Sequence, residues 1–200
     1  PEPEPEPEPD PTWTQMGDTM TGASGDKFGY NVSISKDGTT LAVGSRANSE
    51  KGEVKVYDWN DSTNKWDLKH TISPVSYPIG ENLNDGLLFG SSGVCVSLNR
   101  TGTHLAVGMS RYPRGSSNGG LYQGMIFVYK LDSSSVLDWW WRAFPKYSDI
   151  NYSTEFGFSL DLSDDGKKLV VGAPYSQSVE GKTGSFTKMD ICLLYTSDAA

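Results

Sequence analysis

The chain is poor in the residues that do chemistry. In 200 residues it holds two cysteines, Cys95 and Cys192, and two histidines, His70 and His104. Two cysteines cannot make a disulfide framework, and they leave the redox compartment open. Cys95, alone on an alternating strand, is expected to be a small core residue. His104 takes a position held elsewhere in the chain by Thr40 and Lys168, a place for a polar side chain facing water, so no general base is expected there. No Gly-x-Ser-x-Gly elbow occurs. Gly181-Lys182-Thr183 ends like a phosphate loop, but Ser176 stands where its leading glycine belongs, and the segment from Gly184 onward reads as a strand rather than a helix. The chain is therefore read as non-enzymatic. No apolar run reaches the length of a membrane helix, and no membrane insertion is expected in this segment. No basic patch is present, which removes nucleic acid as a partner. Pro1 is not a methionine and the first residues do not form a signal peptide, so the chain is expected to be a piece of a longer protein.

Glycine, by contrast, is plentiful at 22 residues, and its placement is ordered. Phe28-Gly29 to Gly44, Phe89-Gly90 to Gly108 and Phe156-Gly157 to Gly172 each run from Phe-Gly through an alternating segment and a turn to Leu-(Ala/Val)-Val-Gly. The closing glycines fall 64 apart (108 − 44 and 172 − 108), as do Val32, Val96 and Leu160, and Ile34, Leu98 and Leu162. A fixed period of this kind marks stacked or radially arranged units. Tyr30, Val32 and Ile34 alternate with Asn31, Ser33 and Ser35, which is the period of a strand. Asp37-Gly38, Thr101-Gly102 and Asp165-Gly166 then supply tight hairpins. The next runs, Leu41-Ala42-Val43, Leu105-Ala106-Val107 and Leu169-Val170-Val171, are apolar on both faces, as in strands sandwiched between neighbouring sheets.

Third strands start at Gly52, Gly124 and Gly184, with Lys188 standing where Val56 and Val128 do; fourth strands are marked by Trp66 and by Trp139-Trp140-Trp141. Trp13 in Thr12-Trp13-Thr14-Gln15 reads as a fourth strand whose first three are missing. Four antiparallel strands per unit make a propeller blade. Phe156-Gly157-Phe158-Ser159 with Val171-Gly172-Ala173-Pro174 and Gly184-Ser185, and Phe28-Gly29-Tyr30 with Val43-Gly44-Ser45 and Gly52-Glu53-Val54, resemble the FG-GAP family, the blade repeat of integrin α-subunit propellers. The second copy departs from the pattern around Ser91-Ser92-Gly93 and at Met109. The resemblance implies an all-β fold of four-stranded antiparallel blades in an incomplete propeller of about 2.5 to 3 blades. Residues 12–191 form this part, with blades near 28–75, 89–145 and 156–191.

Both ends differ in character. Of the formal charge of −8, Glu2, Glu4, Glu6, Glu8 and Asp10 carry −5, which leaves −3 for residues 11–200. The Pro-Glu alternation of residues 1–11 cannot pack or form a helix; it is a linker, either a stalk or a solvated low-complexity end. Residues 192–200, Cys-Leu-Leu-Tyr-Thr-Ser-Asp-Ala-Ala, match the translation of a sequencing-library adapter and are expected to be a non-native tail, the alternative being a genuine fourth strand.

Several blades of the resembled family carry a calcium loop in the first hairpin. Calcium needs six to eight oxygens, whereas Ser35-Lys36-Asp37-Gly38 offers one carboxylate and Asn99-Arg100-Thr101-Gly102 none; only Asp161, Asp164 and Asp165 cluster. No cofactor is expected, and calcium is disfavoured. In an up-and-down blade the second-to-third loops and the crossings to the next blade share one end, where loop length varies. The longest loop holds Arg111, Tyr112, Arg114 and Tyr122, and adjacent crossings hold Tyr77, Asn82, Tyr147, Asp149 and Tyr152. Arg and Tyr are favoured interface anchors, so Arg111, Tyr112, Arg114, Tyr122, Tyr147 and Tyr152 are the candidate binding residues. The tryptophan run Trp139–Trp141 could stack on a sugar, but in a strand at least one ring must face the sheet interior, so core packing is expected. Sequons at Asn31, Asn60, Asn99 and Asn151 would suit a secreted chain, although a Ser- and Thr-rich sequence also produces them by chance. Two functions stay open. One is a recognition or adhesion module, extracellular or at the cell surface, with a protein or glycan ligand; the other is a repeat scaffold or spacer without a specific ligand.

Overall fold

A computed structural model describes residues 13–46, 52–73, 94–110, 124–131, 138–143, 155–174 and 185–190, of which residues 94, 138–143 and 185–190 are described by backbone alone. The described residues hold eleven strands and no helix. Strands β1 (Phe28–Ile34), β2 (Thr40–Ser45), β3 (Glu53–Asn60) and β4 (Lys65–Ile72) form blade 1. Strands β5 (Val94–Leu98), β6 (His104–Met109), β7 (Met125–Lys130) and β8 (Asp138–Ala143) form blade 2, and β9 (Ser159–Leu162), β10 (Lys168–Ala173) and β11 (Ser185–Asp190) form blade 3. Each sheet keeps sequence order and pairs antiparallel throughout, as short connections between neighbouring strands dictate. The chain is all-β, an arc of propeller blades.

The hairpins close as the Gly-ended turns require. Gly38, Gly102 and Gly166 have φ of +75°, +66° and +71°, a region closed to most side chains. A polar side chain at the turn entrance completes each one. Ser35 Oγ donates to Asp37 and accepts the Thr40 amide, Asn99 Oδ1 accepts the His104 amide, and Ser163 Oγ repeats the serine pattern with Asp165 and Lys168. Hydrogen bonding holds the Asp37 and Asp165 carboxyls below the usual carboxylate range, chiefly through Ser35 and Ser163.

Two cores lie between the sheets. The first joins Ala42, Val54, Val56 and Ile72 of blade 1 to Val96, Leu98, Leu105, Val107, Met125 and Phe127 of blade 2. The second joins Ala106, Ile126 and Val128 of blade 2 to Leu162, Leu169 and Val171 of blade 3. Leu105, Ala106 and Val107 are fully buried because blade 2 is covered on both faces. Each blade thus has a front face, bearing Val32, Val96 or Leu160, and a back face that packs on the front of the next blade.

Side chains on the first strand of each blade also bind the backbone of the next. The Val96 amide donates to Asn31 Oδ1 at 2.8 Å and the Leu98 amide to Ser33 Oγ at 2.9 Å. One blade on, the Leu162 amide donates to Ser97 Oγ at 3.0 Å. Each of these three donors lies 65 residues after its acceptor. Each such bond contributes about 1 kcal/mol net. Cys95, two residues before Ser97, is half-buried, and burial pushes its pKa up against the opposing effect of the Leu160 and Val96 amides.

The Phe-Gly motif has its own place in this junction. Phe156 is buried and forms a parallel bridge with Gly124. A Cβ at Gly124 would overlap the Phe156 backbone, and one at Gly108 would overlap the Gly157 carbonyl. The glycines that close one strand and open the next are thus the socket for the Phe-Gly of the adjoining blade.

The element before blade 1 differs from expectation. Residues 13–27 contain no strand, and Trp13 is 98% exposed. Trp13, Thr14 and Gln15 pair with no strand among the described residues, and Gly17, further along, lies beside the Trp59 ring.

Candidate functional site

The arc has two unlike ends. At the hairpin end the closing pairs Ile34↔Leu41, Leu98↔Leu105 and Leu162↔Leu169 each span seven positions. Neighbouring hairpins are also tied to one another. The Lys36 amide donates to the Arg100 carbonyl at 3.0 Å, Asn99 Nδ2 reaches the Asp164 carbonyl at 3.4 Å, and Arg100 pairs with Asp164 at 3.3 Å. The β3–β4 connections share this end and span 65 − 60 = 5 positions in blade 1 and 138 − 130 = 8 in blade 2, so this end is short throughout and uniform in its β1–β2 hairpins.

At the other end the strands part from Ser45↔Glu53, Met109↔Met125 and Ala173↔Ser185, spanning 53 − 45 = 8, 125 − 109 = 16 and 185 − 173 = 12 positions. The crossings from β4 to β5 and from β8 to β9 leave from the same end, because four alternating strands return each unit to the side on which it started. Arg111, Tyr112, Arg114, Tyr122, Tyr147 and Tyr152 belong to these segments, as do Tyr77, Asn82 and Asp149. All lie outside the described residues, as do residues 1–11 and 192–200.

Among the described residues, a cation and aromatic cluster stands at the loop end of blade 1. Arg46 lies 5.4 Å from the Tyr30 ring centre, and Lys55 lies 6.0 Å from that of Phe28. Phe28 meets Tyr57 edge-on at 6.5 Å, and Lys55 pairs with Glu53 at 2.6 Å. The Glu53 hydrogen bond raises the Lys55 pKa against the opposing effect of burial, while burial raises that of Tyr57. Motif reading does not find this cluster. Its signal in the sequence is the alternation Glu53, Lys55, Tyr57, which puts three polar-tipped residues on the front face where Met125, Phe127 and Tyr129 of blade 2 are buried.

The acidic trio of blade 3 is dispersed among separate tasks. Asp161 accepts from Ser97 Oγ at 3.4 Å, Asp164 pairs with Arg100, and Asp165 caps its own turn. His104 does not simply face water: it is half-buried against Gly166 of the next blade, and burial lowers its pKa, with Lys130 adding to the effect. The Asn99 sequon is closed in the folded chain, since Asn99 is buried and its amide nitrogen is hydrogen-bonded to Thr101 and Thr103.

Three sheets keep one 64-residue register, and where blades 2 and 3 meet, Gly108 and Gly124 receive Phe156-Gly157. Residues 21–57 match the family model of the FG-GAP repeat. That match spans β1 to β3. No curated protein sequence matches the chain. Among solved structures it is similar to TolB from Acinetobacter baumannii, at 18% identity and a TM-score of 0.41, over 86% of this chain and 31% of that one. The chain thus spans under a third of that protein's length.

Proposed function

We propose that this FG-GAP arc is a non-catalytic recognition or adhesion module of an extracellular or cell-surface protein, engaging a protein or a glycan through its loop end. The observation that carries this reading is the asymmetry of the two ends. At one end the β1–β2 spans stay at seven, seven and seven and the β3–β4 spans are 5 and 8, while at the other the β2–β3 spans run 8, 16 and 12. Insertions gathered on one face of a repeat array are the usual form of a binding surface, because the scaffold beneath tolerates them without loss of core. Arg111, Tyr112 and Arg114 in the longest insertion are the anchors of choice for a protein or sugar surface, joined by Tyr122, Tyr147 and Tyr152 of the same end.

Glycan-array and pull-down screening tests this reading with the intact chain beside an Arg111→Ala/Tyr112→Ala/Arg114→Ala variant. A ligand whose affinity falls by about tenfold or more in the variant supports the loop face. Binding that survives the triple substitution refutes that face. Failure to bind any protein or glycan leaves the scaffold reading in its place.

A further inference from the structure

Four Asn-x-Ser/Thr sequons stand in the chain, and the fold sorts the three that fall among the described residues, at Asn31, Asn60 and Asn99. Asn99 is buried inside its hairpin. Its Nδ2 lies 3.2 Å from Thr101 Oγ1, 3.1 Å from Thr103 Oγ1 and 3.4 Å from the Asp164 carbonyl of the next blade, contacts that take both of its hydrogens. A sugar on that nitrogen would displace the turn's own bonds. Asn31 Oδ1 accepts the Val96 amide at 2.8 Å across the junction between blades 1 and 2. A sugar on Asn31 would stand between the two blades.

Asn60 is placed otherwise. It ends β3 and is partly exposed, and residues 61–65 of the turn that follows are exposed throughout. Asn60 Oδ1 accepts the Ser62 amide at 3.0 Å and the Thr63 amide at 3.3 Å, an Asx turn made by the sequon itself. Its Nδ2 donates to Asp67 Oδ2 at 2.7 Å, on exposed β4. An amide nitrogen has two hydrogens, so one is left for substitution while each of these bonds is kept. Asn60 also shares the face of Val54 and Val56, which blade 2 covers, so its partial exposure holds with that blade in place.

We propose that Asn60 is the N-glycosylated sequon of these three, carrying an oligosaccharide at the tip of the β3–β4 hairpin; this rests on the extracellular reading given above. In the transfer Nδ2 gives up one proton and bonds to the anomeric carbon of a sugar held on a lipid diphosphate. The bond from that carbon to the diphosphate oxygen breaks, and the lipid diphosphate leaves with the electron pair, so nothing is oxidised or reduced. The donor is thus a lipid-linked oligosaccharide, acted on by a transferase of the secretory membrane. The β3–β4 turn stands at the hairpin end, opposite the variable loops, so a glycan there leaves the loop face free to bind.

Translation of the intact chain behind a secretory signal, with endoplasmic-reticulum microsomes present, tests the proposal without requiring any variant to fold. In the protease-protected product the Asn60 peptide is expected to carry a glycan that peptide-N-glycosidase removes. Ser62→Ala destroys the sequon but keeps the Asn60 side chain and the backbone amides it accepts, and it should lose the mass of one glycan. Protein released by secreting cells should be glycosylated at Asn60 and bare at Asn31 and Asn99. A protected chain bare at Asn60, or a Ser62→Ala variant with an unchanged glycan count, overturns the proposal and leaves the extracellular reading standing. Released protein glycosylated at Asn31 or Asn99 overturns it as well. A chain that the signal does not carry into the microsome counts against the extracellular reading, and the proposal falls with it.

Discussion

Val32 and Val96 occupy the same place in successive blades, opposite Val43 and Val107, yet the first is 58% exposed and the second 4%. Ile34 and Leu98 repeat the contrast, and so do the Phe-Gly motifs: Phe156 is buried in a socket of blade 2, while Phe28 is half-buried and a Cβ on Gly29 would meet nothing. The residues are nearly the same, and the difference is the neighbour. A blade by itself buries little: Val43 on the open front is 2% exposed, but Val32 and Ile34 beside it become core only where another blade covers their counterparts, so most hydrophobic stabilisation here belongs to junctions.

One charge placed in turn at each of the two valines separates them most. Val96→Asp is expected to destabilise the arc by about 4 kcal/mol or more, because the carboxylate would lie unpaired between two sheets. Val32→Asp should stay within about 0.5 kcal/mol at concentrations where the chain is monomeric. Urea melts of the two variants measure the gap, and equal costs would mean that the front of blade 1 is covered.

A matched glycine pair comes next. Gly29 and Gly157 have φ of +82° and +87°, so alanine meets the same backbone strain at either, about 1–2 kcal/mol. Only at Gly157 does a Cβ meet the Ile126 methyl and the Met125 carbonyl at 3.0 Å. Gly157→Ala should exceed Gly29→Ala by about 1 kcal/mol or more in thermal denaturation.

Smaller still is the junction ladder. Ser97→Ala leaves the Leu162 amide without its acceptor and should cost about 1–2 kcal/mol, whereas Ser159→Ala, on an open face, should cost almost nothing in the monomer. Chemical denaturation of both variants reads the difference.

The last and least of these effects concerns pH. Burial lowers the His104 pKa below its ordinary 6.5, so the unfolded chain takes up the proton first as pH falls. The stability that comes with neutral His104 is present above that value and is lost progressively below it. His104→Thr, which installs the residue type found at Thr40, should flatten the dependence of stability on pH just below 6.5. An unchanged slope would show that the half-burial of His104 against Gly166 has no energetic weight.

Much of the fold is legible because the repeat states it three times. The Val32, Val96 and Leu160 register and the Gly38, Gly102 and Gly166 turns take the places expected of them, while of the apolar second strands that of blade 2 is covered on both faces and that of blade 3 leaves Val170 43% exposed. Trp13 misleads because a tryptophan between polar residues looks like a strand, whereas strand formation needs a sheet edge to pair with. His104 misleads for a related reason. The pattern of its own sheet suggests a side chain facing water, while it sits where one blade meets the next. Periodicity within a chain says which residues share a face, but not whether that face is covered. The candidate binding residues Arg111, Tyr112, Arg114, Tyr122, Tyr147 and Tyr152 rest on loop length and residue type.

What the order of residues specifies is the unit: a four-stranded antiparallel blade with tight hairpins at one end and variable loops at the other. The cause is local, since alternation, glycine at positive φ and apolar runs act over a few residues. The use of each face was settled instead by packing between blades. Asn31, Ser33 and Ser97 became acceptors for a neighbour 65 residues away, Gly108 and Gly124 became a socket, and Val32 was left in water where Val96 is core. Burial is a relation between two surfaces, and a strand carries only one of them.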